Sequence, residues 1–175
     1  MELSIGQKVA YPNQGVCLVE EIERKKIGER LMNFYALRVL GDNSVILVPT
    51  ANAETVGIRP VITSRQYQRL KNRLAADFGE VSPDWKERSR EFSGKLQSGD
   101  VFEAADVLKK LTFLSHEKKL SFREQSYLEK ARFLVVSEII GAGLAKEARI
   151  EDKINKLVEN ACHKHLVTQP SVMMH

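Results

Sequence analysis

The pattern of apolar positions changes near residue 60. Before that point, short apolar runs are separated by turn-forming residues, and several alternate with polar positions, as half-buried β-strands do. The runs predict strands at residues 8–11, 15–23, 32–40 and 44–48, a charged hairpin loop at 24–30, and a candidate closing strand at 56–59. So few short strands cannot form a broad sandwich. They predict a small SH3/Tudor-like β-barrel over residues 1–60.

Beyond Ile62 the apolar period becomes helical. Side chains that can cap a helix precede the apolar stripes, namely Thr63 or Ser64, Ser82 before Pro83, Asp100 with Glu103, and Ser121 with Glu124. The first helix is predicted to carry Tyr67, Leu70, Leu74 and Phe78 and to end at Gly79. We therefore expect an α+β chain of two domains, with an all-α bundle of about five helices at residues 61–175. The last few residues, from Thr168, are expected to be disordered.

The stretch around Trp85, the single tryptophan of the chain, is open to two interpretations. Trp85 is predicted to lie in the first turn of a helix, and Lys86, Arg88 and Arg90 follow it. An aromatic ring edged by cations is suited to pressing against stacked bases while the cations contact phosphates. However, Trp85 also shares a helical stripe with Phe92 and Leu96, and such stripes are usually core.

Charge adds modestly to this picture. The chain has 175 residues and a formal net charge of +4. Residues 61–95 hold eight Lys/Arg against five Asp/Glu, so positive charge gathers around Trp85. This balance permits a nucleic-acid partner without requiring one.

Enzyme and metal signatures are poor. The sequence has no Gly-rich phosphate loop, nucleophile elbow or HExxH motif. Cys162, His163 and His165 cluster, but their spacing does not place them on one helical face, and exposed tail residues are the simpler interpretation. We expect no cofactor and no metal. The distant pair Cys17 and Cys162, together with the lack of a long apolar run, predicts a cytoplasmic protein that does not enter a membrane.

The β-module offers a different kind of site. An edge strand has unpaired N–H and C=O groups that can accept a strand from a partner. The apolar run at residues 44–48 is such a candidate, and Arg24, Lys25 and Lys26 form a positive spot beside it. An acidic partner strand would suit both features, although one alternate set of the apolar residues must fill the barrel.

Several motifs resemble the CarD/CdnL family of bacterial transcription regulators. In the first half they are Val9-Ala10-Tyr11-Pro12-Asn13-Gln14-Gly15-Val16, Val48-Pro49 and Val56-Gly57-Ile58-Arg59, which resemble the RNA-polymerase-interacting domain shared with transcription-repair coupling factor. In the second half they are Trp85 with Arg88, Ser98-Gly99-Asp100, Leu120-Ser121 with Glu124, and Ala131-Arg132. The sequence has no helicase motifs, and its second half carries the motifs around Trp85. Both features favour the CarD/CdnL family over transcription-repair coupling factor.

The resemblance implies a regulator without enzymatic activity. Its barrel would dock on the lobe of the RNA polymerase β subunit, partly by strand pairing. The expected polymerase-binding residues are Lys25, Lys26, Ile27, Ile46 and Leu47, with Leu47 where some relatives carry arginine. The helical domain would reach promoter DNA at the upstream edge of the melted region.

On the DNA side, the resemblance implies that Trp85 enters the minor groove as a wedge and hinders bubble collapse. The expected DNA-binding residues are Trp85, Lys86, Arg88, Arg90 and Arg123, the last substituting for Gln125 where a relative is basic. We expect a monomer. The alternatives are a stand-alone architectural DNA-binding protein and, in third place, a small metal-dependent enzyme using residues 162–165.

Overall fold

A computed structural model describes residues 2–168. The tail predicted to be disordered from Thr168 lies outside them except for Thr168 itself, which is the last helical residue of the described chain, contrary to the prediction. Five strands form one antiparallel sheet at the start of the chain. They are β1 (Lys8–Tyr11), β2 (Gly15–Ile27), β3 (Arg30–Val39), β4 (Val45–Pro49) and β5 (Arg59–Pro60). Among the described residues, no helix is long and apolar enough to cross a bilayer.

The predicted barrel is not closed. The strand order is β4-β3-β2-β1-β5, so β4 and β5 are opposite edges of an open sheet. Between them the chain forms a 3₁₀ turn (Thr50–Asn52) and a short helix, α1 (Ala53–Val56). The predicted closing strand therefore shrinks to Arg59 and Pro60, which pair only with β1. A two-residue strand is too short to bridge to β4 and complete a ring.

Strands β2 and β3 form a long hairpin in place of the predicted loop at residues 24–30. Their pairing continues to Ile27 and Arg30, and the turn consists of Gly28 and Glu29 alone. Gly28 has a φ of +66°, which glycine adopts without steric cost and which two-residue hairpin turns require. The predicted polymerase-binding residues of this region therefore lie on a strand.

Five longer helices follow the sheet. They are α2 (Ser64–Ala75), α3 (Trp85–Gln97), α4 (Val101–Glu117), α5 (Phe122–Gly141) and α6 (Glu147–Thr168). With α1, the described residues contain six α-helices, one more than the predicted number because α1 lies in the β-module. The predicted cap at Thr63 is confirmed, since its side chain and that of Gln66 form a reciprocal capping box.

Two local predictions for the helices were wrong. Helix α2 ends at Ala75, so Phe78 lies beyond the helix and packs against the apolar core from the following segment. Helix α3 is capped by Asp84, whose carboxylate accepts the N–H of Lys86, and not by Ser82. The Ser82 hydroxyl instead accepts the N–H of Asp84 and donates to Glu87.

The helices form a bundle around α4 with two distinct ends. Ion pairs join α4 to two neighbours: Asp106 pairs with Arg73 of α2, and Lys110 pairs with Glu91 of α3. A hydrogen bond from the Cys162 thiol of α6 to the Lys109 carbonyl joins it to a third. Near one end, Arg88 of α3 meets Glu124 of α5, and Lys118, just after α4, meets the same carboxylate. We call this the distal end. Here α3 and α5 begin and α4 and α6 finish, while α2 ends beside the middle of α4, at Lys109.

The opposite end of the bundle is joined to the sheet by a partly buried ion pair. Arg59 donates from both terminal nitrogens to Glu138, at 2.6 and 2.7 Å, and its Nε donates to the Gly99 carbonyl at 2.9 Å. The same carboxylate accepts the backbone N–H of Ile62 at 3.0 Å. Glu138 is thus buried with its lone pairs satisfied, which holds β5 against α5.

Close backbone approach reinforces this junction. A Cβ added to Gly141 would lie 2.8 Å from the Val16 side chain, and one added to Gly41 would lie 2.9 Å from the Phe133 ring. These glycines let α5 pack directly on the sheet. The sheet and the bundle therefore meet in a tight, specific arrangement.

Candidate nucleic-acid and polymerase contact surfaces

Trp85 lies at the distal end with its ring in solvent. It is the first residue of α3, directly after the capping residue Asp84, and its side chain is 61% exposed. Phe92 and Leu96 of the same predicted stripe are buried. The core interpretation of Trp85 is therefore wrong. The buried part of the stripe begins further along α3, and the first turn, which carries Trp85, extends past the end of the core.

Arg88 is directed inward and not toward solvent. It is 4% exposed, and its Nε donates to the Glu124 carboxylate at 3.0 Å. Its Nη1 donates to the carbonyls of Ser82 and Pro83 at 2.9 and 3.0 Å. Its predicted role as a phosphate contact is thus not supported, since Arg88 is four residues before the buried Phe92 and shares its face. Arg88 instead fixes the turn that presents Trp85.

The partner of Arg88 is held in its charged form. Burial alone would raise the pKa of Glu124, but the hydrogen bond and charge of Arg88, with a further contribution from Lys118, bring the pKa below its ordinary value. Ser121 caps α5 through the Glu124 backbone N–H. The first turns of α3 and α5 are therefore fixed side by side by one buried ion pair.

Phe122 joins Trp85 at this end and was missed by the sequence reasoning. It is the first residue of α5 and is 92% exposed, more than any other large apolar side chain of the described residues. Its exposure could have been predicted from the sequence, because it lies off the buried stripe of Leu128, Ala131, Val135 and Ile139. An aromatic ring just after a cap and off the core stripe has no packing role.

The distal end is also favourable for anions. The exposed cations Lys86, Arg90 and Arg123 have no acidic partner within ion-pair distance among residues 2–168. The Lys86 ammonium lies 5.8 Å from the Trp85 ring centroid. In addition, the N-termini of α3 and α5 contribute partial positive charge here. The first turns of α3 and α5 thus carry two exposed rings and, within the first six residues of each helix, three cations that lack an ion pair in the described chain.

The β-module presents a mostly apolar outer face. Directly paired residues lie on the same face of an antiparallel sheet, so the pairs Lys25–Met32, Ile27–Arg30 and Ala36–Leu47 all belong to this face. Ile27 is 53% exposed and Leu47 is 39% exposed. The structure therefore places Lys25, Ile27 and Leu47 on one face of the sheet, which we call the outer face, with Ile27 at the hairpin tip and Leu47 on the edge strand.

The other two predicted polymerase-binding residues lie on the opposite side of the sheet. Lys26 pairs with Leu31, and Ile46 pairs with the fully buried Leu37. Ile46 is half-buried and packs against the core of the sheet. Its backbone groups also face β3, because the Val39 N–H bonds to the Ser44 carbonyl in the same register and hydrogen-bonded pairs alternate along the ladder. The backbone groups free on the edge of β4 therefore belong to Val45 and Leu47, and Ile46 is not placed to meet a partner strand.

The cysteine and histidines of α6 do not form a metal site. Cys162 and His165 are buried and His163 is exposed, so the expectation of three exposed tail residues was wrong. Burial, with the nearby Glu159 charge, raises the pKa of the Cys162 thiol to about 12, which disfavours the thiolate that metals bind. Among the described residues, no cluster could hold a metal ion.

The chain matches family models over most of its length. Residues 3–62 match the CarD-like/TRCF RID domain, and residues 69–155 match the C-terminal domain of CarD. An RNA-polymerase-interacting sheet followed by this helical domain defines a class of transcription regulators that is not known as enzymatic. The chain belongs to the CarD/CdnL family, and its RID domain implies RNA polymerase as a partner.

The chain is also similar to individual proteins. The putative transcription factor YdeB of Bacillus subtilis (strain 168) is 27% identical over 135 residues, covering 77% of this chain and 88% of that protein. The solution NMR structure of the 72-residue N-terminal domain of Myxococcus xanthus CarD is 36% identical. It covers 34% of this chain and 79% of that domain, with a TM-score of 0.30.

Proposed function

We propose that this protein docks on the β-subunit lobe of RNA polymerase and stabilises the open promoter complex. The sheet supplies the polymerase contact, and the distal end of the bundle contacts promoter DNA at the upstream edge of the bubble. The observation that carries the proposal is the exposure of Trp85 at the distal end, with the Lys86 ammonium 5.8 Å from its ring centroid. The protein acts as a monomer in the cytoplasm, at the nucleoid.

The polymerase contact combines an edge and a face. The backbone of β4 is free on one side and can accept a strand of the lobe. On the outer face, Leu47 offers apolar area at this edge, and Ile27 and Lys25 extend the face along the β2–β3 hairpin with further apolar area and a positive charge. Within residues 2–168 the one ion pair of Lys25 is with Glu23, at 3.5 Å, so its charge is partly available to an acidic partner.

On the DNA side, the Trp85 ring enters the minor groove at the edge of the melted region and hinders strand closure. Lys86, Arg90 and Arg123 contact phosphates, and Phe122 adds a second apolar surface. Insertion of an apolar side chain between base steps is an established way to hold distorted DNA. Because this contact exists only with melted or distorted DNA, it shifts the melting equilibrium toward the open form.

Tethering explains how so small a DNA surface can act. Each neutralised phosphate contributes modestly and its contribution falls with salt, so a few cations give weak binding to free DNA. Docking on polymerase raises the local DNA concentration to about millimolar. A differential contact of about 1.4 kcal/mol then changes the ratio of open to closed complexes about tenfold.

Binding to naked DNA separates this proposal from a stand-alone architectural role. We expect a dissociation constant for duplex DNA no tighter than about 1 µM at physiological salt, because only a few phosphates are contacted. Gel shift and fluorescence titration, with and without polymerase on the same promoter fragment, measure this. Tight binding that does not depend on polymerase would instead favour the architectural protein.

The outer face is tested by L47D. A carboxylate placed in an apolar contact must be desolvated on docking, so we expect the affinity for polymerase to fall about tenfold or more. Surface plasmon resonance with immobilised polymerase measures the change. V56D is the matched control, because Val56 is similarly exposed, 37% against 39%, but lies on α1. Equal affinity of L47D and wild-type protein would remove the outer face from the proposal.

A further inference from the structure

We infer that the last turn of α6 positions Trp85 from outside the DNA-contact surface, through Asp77. The inference rests on the role proposed for Trp85. His165 is 2% exposed, and its Nδ1 lies 2.8 Å from Asp77 Oδ1. The Thr168 hydroxyl donates to Asp77 Oδ2 at 2.8 Å, and the Lys164 ammonium donates to the Ala75 carbonyl at 2.8 Å. Three side chains from one helical turn thus hold the end of α2 and the residues just after it.

Aromatic contacts fix the His165 ring in the same place. The ring stacks on Phe78 with centroids 4.1 Å apart and an interplanar angle of 12°, and it meets the edge of Phe113 at 4.7 Å. Asp77 Oδ1 also accepts the Phe78 N–H at 2.7 Å. The ring therefore connects α4 and α6 to residues 77 and 78, with one orientation set by both stacking and a hydrogen bond.

The held segment leads directly to Trp85. Residues 76–84 have no regular secondary structure and join α2 to α3. Side chains of two helices hold this connection at separate points: α6 holds Asp77 and Phe78, and Arg88 holds Ser82 and Pro83. The Lys109 ammonium also donates to the Ala76 carbonyl, and Phe78 and Val81 pack against the core. Loss of the α6 attachment would remove the restraint at Asp77 and so loosen the approach to Trp85. The ring would then sample more orientations, and its contact with DNA would lose preorganisation.

Packing alone does not explain why residue 165 is a histidine. An apolar side chain could fill the space between Phe78 and Phe113, but it could not reach Asp77 with a directed hydrogen bond. His165 is thus a positioning residue, and its hydrogen bond can be removed while its ring volume is kept.

The test uses the full chain and the variant H165F. Phenylalanine retains the stack on Phe78 but removes the hydrogen bond to Asp77. We expect the fast local component of the time-resolved fluorescence anisotropy of Trp85, the single tryptophan, to grow. We also expect the open-complex lifetime to fall about fivefold, as loss of one net hydrogen bond predicts, with unchanged affinity for polymerase.

Three further variants make the result specific. H165N places an amide nitrogen near the position of Nδ1 and is expected to restore part of both readouts. H163F makes the same substitution at an exposed histidine of the same helix and is expected to change neither. Should H165F fail to fold, D77N weakens the pairing from the other side at a partly exposed residue and is expected to act like H165F.

The outcomes separate this inference from the proposed function. A folded H165F protein with unchanged anisotropy overturns the positioning role, whatever its effect on lifetime. Increased Trp85 mobility with a shortened lifetime supports it. If W85A itself leaves the lifetime unchanged while H165F still increases Trp85 mobility, the positioning stands and the proposed action of Trp85 on the open complex is overturned.

Discussion

Replacing Trp85 with alanine is expected to shorten the lifetime of the open promoter complex about tenfold without weakening the binding of polymerase. Contacts between an aromatic ring and bases contribute about 1–3 kcal/mol, and 1.4 kcal/mol corresponds to a factor of ten. The ring is 61% exposed, so its removal creates no core cavity. The lifetime is measured as the decay of open complexes after a competitor is added.

Two controls make this result interpretable. W85F keeps a smaller aromatic ring and is expected to retain part of the effect. I5A removes an equally exposed apolar side chain, 64% exposed, that lies before β1, and it is expected to leave the lifetime unchanged. Both W85A and I5A should change the free energy of unfolding by less than about 0.5 kcal/mol. An unaltered lifetime in W85A would exclude the wedge.

Replacing Arg88 with alanine is expected to lower the free energy of unfolding by about 3 kcal/mol. The substitution leaves the Glu124 carboxylate buried without its main partner, and it also frees the carbonyls of Ser82 and Pro83. Urea unfolding followed by circular dichroism measures the loss. R90A is the matched control, because Arg90 is exposed on the same helix without an ion pair in the described chain, and it should cost less than about 0.5 kcal/mol.

A double variant isolates the ion pair from general packing. R88M/E124L replaces both charges with apolar side chains of similar length, and such replacements of buried pairs are often neutral. We expect it to regain most of the stability that R88A loses, while the turn before Trp85 stays unattached. Equal stability of R88A and R90A would contradict the buried pair.

The helical half of the fold was predictable because its signals are local. Helical stripes and capping side chains placed α2 to α6 to within a few residues, and Thr63 capped as expected. The β-module was harder, because closure depends on a pairing between β4 and β5 that no local pattern records. The length of the β2–β3 hairpin was also hidden, since its charged residues resemble a loop as much as an exposed strand.

The site was predictable in outline and not in its contacts. Periodicity could not place Trp85 inside or outside the bundle, because the stripe it shares with Phe92 does not show where the bundle ends. The burial of Arg88 could have been inferred from its spacing of four to Phe92, but its partner Glu124 is distant in sequence. On the sheet, strict alternation would have separated Lys25 from Lys26 if the segment had been recognised as a strand.

The ion pair of Arg59 with Glu138 bears on promoter choice. Because it fixes the bundle to the sheet, the protein would behave as a rigid spacer between its anchorage on the enzyme and its point of action. A rigid spacer meets every promoter at the same number of base pairs from the active centre, whatever bases lie there. Differences among promoters would then come from how readily each duplex separates at that position and not from recognition of a sequence.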